Sequence, residues 1–127
     1  MTPEHDAQIF TEFPVFFRPQ PLNRQLAVGD GWFELIYKLC EEIRDLHPHP
    51  EFCVLQVKEK FGGLRFYVTH STADISAAIH GAEQKSCKIC EDCGTTEGVT
   101  TSPRPGKSWI RSLCPACREP KTETGAI

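Results

Sequence analysis

Seven cysteines stand in this chain of 127 residues, and four of them form two C-x-x-C pairs. These are Cys90-Glu91-Asp92-Cys93 and Cys114-Pro115-Ala116-Cys117, with 20 residues between Cys93 and Cys114. Two intervening residues let a tight knuckle turn both sulfurs toward one ion, and two knuckles supply four thiolates. Gly94 follows the first knuckle, where a positive φ is often needed. Four thiolates close a tetrahedron and leave no position for water. The spacing therefore predicts a structural Zn2+ site at Cys90, Cys93, Cys114 and Cys117 that contributes folding energy and no catalysis.

Cys87 forms a further C-x-x-C pair with Cys90 and falls in the last turn of a predicted helix. It reads as a spare thiol in preference to a ligand that swaps in or a redox partner of Cys90, because four ligands already suffice. Cys40 and Cys53 occupy apolar positions and are expected to behave as small buried hydrophobes. No enzyme is expected. Zinc deaminases need H-x-E and P-C-x-x-C, whereas His80 is followed by Gly81-Ala82 and Leu113 precedes Cys114. A nuclease built on such knuckles would need a histidine near the module, and none follows His80. H-E-x-x-H, G-x-S-x-G and phosphate-loop patterns do not occur, and His47 and His49, flanked by prolines, read as a solvated turn.

These ligands must be positioned by a small scaffold. Residues 1–28 hold Pro3, Pro14, Pro19 and Pro21 among Phe10, Phe13, Phe16 and Phe17. The prolines argue against a long helix, so a short edge strand at 13–17 or an extended arm covering the core is expected. The apolar arm at 10–17 leaves dimerisation open. Asp30 in Gly29-Asp30-Gly31 is the candidate N-cap of an amphipathic helix whose stripe is Trp32, Phe33, Ile36, Leu39, Cys40, Ile43 and Leu46. The prolines of His47-Pro48-His49-Pro50 end it. Strands are predicted at 52–58 and 64–69, the second with Leu64, Phe66 and Val68 on one face, joined by a hairpin signalled by Gly62-Gly63. Thr72 or Asp74 caps a second helix to about Lys88, with Ile75, Ala78, Ile79 and Ala82 as its stripe. Ser108 to Leu113 suits a short strand entering the second knuckle.

The fold class is thus α+β: a small antiparallel sheet, two packing helices and a C-terminal zinc-ribbon-like module of four cysteines. The expected organisation is an N-terminal arm (1–28), a helix-hairpin-helix core (29–86), the zinc module (87–118) and a flexible tail (119–127). Formal charge is −3 overall, but it is divided: residues 1–84 carry −5 and residues 85–121 carry +3. The basic excess (Lys85, Lys88, Arg104, Lys107, Arg111, Arg118, Lys121) compensates the thiolate centre at least as readily as it makes a nucleic-acid face. No apolar run approaches the ~18 residues of a membrane span. The acidic stretch Met1 to Asp6 has no hydrophobic signal core, so nothing there marks the chain for export.

Gly29-Asp30-Gly31-Trp32-Phe33, the hairpin stretch Gln56 to Phe66 (QVKEKFGGLRF), Ala82-Glu83-x-x-Ser86 and Cys90-Glu91-x-Cys93-Gly94 resemble a group of small proteins encoded by phages, prophages and bacterial genomes. The resemblance runs from about Phe13 to Cys117 and is most specific in the hairpin. It implies the cytoplasm of a bacterial host cell and carries over no activity. The hairpin interleaves Lys58, Lys60 and Arg65 with Phe61, Phe66 and Tyr67, which makes Lys58, Lys60, Phe61, Arg65 and Tyr67 a candidate interaction surface. A strongly patterned structural hairpin is the competing and favoured reading. The expected function is a non-enzymatic interaction protein, phage-encoded and modulating a host defence or transcription protein. The acidic residues 1–84 suit a basic protein partner or mimicry of nucleic-acid charge. The alternative is a nucleic-acid-binding accessory protein using the basic hairpin and the zinc module.

Overall fold

The computed structural model describes residues 1–17, 26–103, 106 and 108–118. The tail expected to be flexible, 119–127, and the basic residues Arg104, Lys107 and Lys121 lie outside the described residues.

The N-terminal segment corrects the sequence expectation. It is helical, as α1 (Pro3–Glu12) and α2 (Pro14–Phe17), and not an extended arm or edge strand. Thr2 Oγ1 accepts the His5 N–H, and Pro3 sits in the first turn, where a missing N–H breaks no helical bond and the fixed φ suits the helix. Phe13, Phe16 and Phe17 are buried in the chain's own core, as a covering arm requires.

Asp30 is the second correction. It opens a single 3-10 turn (Asp30–Trp32) and caps no helix. Its carboxylate instead accepts the Thr2 N–H at 3.1 Å and engages His5 Nδ1, which ties α1 to the entrance of the next helix. That helix, α3 (Phe33–Asp45), buries Ile36, Leu39, Cys40 and Ile43 as its periodicity predicts. Leu46, the last residue of the predicted stripe, lies at the helix C-cap and is exposed.

β1 (Val54–Lys60) and β2 (Gly63–Val68) pair antiparallel, with Lys60 opposite Gly63. The turn is therefore Phe61-Gly62, one residue earlier than the glycine pair suggests, and both residues have positive φ (55° and 83°). That is the two-residue arrangement whose twist matches a hairpin. Val57, Leu64 and Phe66 are buried on one face. α4 (Ala73–Ser86) follows, with Thr72 as its N-cap accepting from the Ile75 N–H. It lies along β2, where Ser86 Oγ accepts the Leu64 N–H at 2.9 Å and Glu83 Oε2 accepts the Phe66 N–H at 3.0 Å. These amides would otherwise be the unpaired edge of the sheet. The second sheet is β3 (Thr100–Pro103) against β4 (Ile110–Leu113), antiparallel, followed by the short helix α5 (Pro115–Arg118).

The main core joins α1 to α4 and the first sheet around Trp32, Ile36, Phe52 and Leu64. A separate small cluster of Cys90, Leu113 and Cys114 lies in the cysteine module. No helix among the described residues is long and apolar enough to cross a membrane.

Candidate metal centre

The first knuckle follows α4, and the second is delivered by β4 and the start of α5. Between them they gather the ligand atoms of Cys90, Cys93, Cys114 and Cys117 within 4.8 Å of one another. Cys93 Sγ and Cys114 Sγ are 3.7 Å apart. A disulfide needs ~2.05 Å. Zn–S bonds of ~2.3 Å in a tetrahedron place the sulfurs roughly 3.8 Å apart, so the spacing suits a metal and excludes that bridge.

Backbone amides complete the cradle. The Cys117 N–H donates to Cys114 Sγ at 3.4 Å. Burial alone would raise the Cys90 thiol, but the N–H groups of Cys114, Cys93 and Asp92 outweigh it and bring it down to about 7. Burial and the neighbouring sulfurs push Cys117 the other way. Gly94 has φ +85°, as the knuckle requires. Four soft sulfur donors held by N–H groups fit Zn2+, and among the described residues no fifth His, Cys, Asp or Glu joins the group. Cys87 is outside this group: its Sγ faces the Gly62 carbonyl at 4.0 Å.

No protein-family model, curated protein or solved structure matches this chain.

The centre is locked to the core by Gly29, Gly31, Trp32, Glu91 and Arg111, residues quoted above to which the sequence assigns no role at the centre. The Gly31 N–H donates to the Glu91 carbonyl at 2.7 Å, and the Gly29 N–H donates to Glu91 Oε2 at 2.8 Å. Trp32 Nε1 donates to the Ile89 carbonyl at 2.9 Å. The approach is so close that a Cβ on Gly31 would stand 2.1 Å from the Cys90 carbonyl oxygen. The buried Glu91 carboxylate also accepts Arg111 Nε at 2.9 Å, and the same guanidinium reaches Asp92 at 3.1 Å. Burial pushes the Glu91 carboxyl up, against the pull of the Gly29 N–H and Arg111. Glu91 is buried, and nothing in the local sequence marks a charged residue between two knuckle cysteines as interior.

Two of the module's basic residues therefore have internal partners. Arg111 serves Glu91 and Asp92, while Arg118 donates to the carbonyls of Thr100, Ser102, Pro103 and Arg111. At the other end of the module, Ser112 Oγ donates to the Gly62 carbonyl at 2.6 Å, so β4 supports the hairpin turn. Lys58, Lys60, Phe61, Arg65 and Tyr67 take no part in the metal centre. By alternation Lys58, Lys60, Arg65 and Tyr67 occupy the face of the first sheet opposite Val57 and Phe66, and Phe61 is the turn.

Proposed function

We propose that this chain is a non-enzymatic interaction protein whose fold is completed by one structural Zn2+ held by Cys90, Cys93, Cys114 and Cys117. The observation that carries the reading is the gathering of four sulfurs within 4.8 Å of one another, enough to fill a tetrahedral Zn2+ shell with protein ligands alone. A closed centre activates no water. Its effect is to fix the Gly29–Trp32 segment and the hairpin turn against one another through Glu91 and Ser112. The surface so fixed is the hairpin, with Lys58, Lys60, Phe61, Arg65 and Tyr67 as the interaction residues.

The motif resemblance supports a phage or prophage origin and a bacterial cytoplasm as the setting. A host defence or transcription protein as partner, and an accessory role on nucleic acid, both fit that setting. The local charge of the hairpin favours an anionic partner, and so the second role.

Metal analysis of the purified protein tests the staple. About one equivalent of zinc per chain is expected. Cys114→Ser is expected to lose the metal and unfold at lower temperature. A metal-free protein whose stability is unchanged by that substitution would overturn the reading.

A further inference from the structure

The outward face of the first sheet carries an unbalanced charge. Lys58 stands directly opposite Arg65 in the register, with Lys60 one step along the same face. Like charges paired across strands oppose folding. Among the described residues neither these two nor Lys60 lies within ion-pair reach of a carboxylate. The other outward positions of the paired segment are Gln56, Gly63 and Tyr67, none of them acidic; the Glu59 carboxylate belongs to the other face and is held at the turn end by the Gly62 N–H and Trp109 Nε1.

Exposed rings accompany the charges. Phe61 is 66% exposed, Trp109 63% and Tyr67 42%. Each has a cation against it: Lys60 Nζ 5.7 Å from the Phe61 ring, Arg111 5.2 Å from Trp109 and Lys58 Nζ 5.9 Å from Tyr67. Trp109 comes from the cysteine module and is held to the hairpin, its Nε1 donating to Glu59 Oε1 at 3.0 Å. Phe61 sits at φ 55°, in the left-handed region where a bulky side chain is disfavoured and Asn or Gly is the usual choice. A strained, solvent-facing phenylalanine at a turn has no folding rationale. Strain of this kind collects at binding sites.

Resting on the reading of the hairpin as the interaction surface, we infer that this face binds single-stranded nucleic acid. Tyr67 on the face and Phe61 at its turn supply stacking platforms, Trp109 stands beside that turn, and Lys58, Lys60 and Arg65 meet the phosphates. At ~3.4 Å per residue, Tyr67 lies roughly 14 Å along β2 from its start beside the turn, which gives a track rather than a single pocket. Bases in a duplex are already stacked, so the rings select the single strand. An acidic peptide would satisfy the lysines and the arginine but leave the rings without a task.

The test titrates the zinc-loaded full chain with oligothymidylate, oligouridylate, the matching duplex and polyglutamate. Trp32 is fully buried, so quenching of indole emission reports Trp109. Single strands are expected to quench it and to bind about tenfold more tightly than duplex. Three phosphate contacts predict a slope of about −2 in log affinity against log salt. Lys58→Glu with Arg65→Glu is expected to weaken binding by about tenfold or more. The sharpest variant is Phe61→Asn, which relieves the turn: it should raise the unfolding temperature and lower affinity together. Zinc content and unfolding temperature are recorded for every variant. Failure of a folded, zinc-loaded protein to bind single strands at low salt overturns this inference and leaves the staple standing. Equal binding of duplex, or equally tight binding of polyglutamate, also overturns it. Loss of zinc without loss of fold would instead strike the staple.

Discussion

Arg111 Nε donates to Glu91 Oε1 at 2.9 Å, inside the protein, while the other oxygen of Glu91 holds an amide from 62 residues away. The pair joins the strand that delivers the second knuckle to the turn that forms the first. Burial disfavours the Glu91 charge, so the pair is worth little as net stabilisation, but breaking it strands a carboxylate. Arg111→Ala is expected to cost about 3 kcal/mol in chemical unfolding with zinc present. The double variant Glu91→Gln, Arg111→Met should recover a substantial part of that loss; a double variant as unstable as the sum of its parts would contradict the account.

Gly31 is required by space. A methyl group there meets the Cys90 carbonyl, which is backbone and has nowhere to go. Gly31→Ala should lower the unfolding temperature and weaken zinc retention under chelator challenge, because the knuckle itself must shift. Gly81→Ala is the control: a Cβ there meets nothing within 4 Å, and the helix α4 should gain about 0.5–1 kcal/mol.

Cys87 and Cys117 should separate cleanly. Cys117→Ser removes a ligand and is expected to abolish stoichiometric zinc, whereas Cys87→Ser should leave the metal content as it was. Metal analysis after gel filtration decides it.

The Asp30 carboxyl gives a pH signature. Burial pushes it upward, but hydrogen bonds from His5 and the Thr2 N–H win and hold it below its ordinary value of 3.8. A carboxyl that is more acidic when folded contributes stability above its unfolded value. That contribution is lost as pH falls through the lower folded value. Asp30→Asn should therefore be less stable than the parent near neutrality, with the two unfolding curves converging in acid below pH 3.8.

What was legible in the sequence was what periodicity and short spacing encode. Ile36, Leu39 and Ile43 repeat at helical steps, Leu64 and Phe66 alternate, and the four ligands announce themselves by the two knuckles. α1 was missed because Pro3 reads as a breaker, although Thr2 before it and Glu4 after it form a helix start. The roles of Gly31, Glu91, Glu83 and Ser86 were hidden for another reason. Each acts on a partner far along the chain, and no local pattern records such a pairing.

Glu83 and Ser86 also decide how this protein can be approached. Their oxygens occupy the Leu64 and Phe66 amides along the outer side of β2, so an incoming strand finds no donors there to pair with. On the other side, Ala27 already bridges to β1. Growth of the sheet by β-augmentation, whether from a target peptide or from a second molecule in a crowded cell, is blocked where it would be easiest. Recognition is left to side chains.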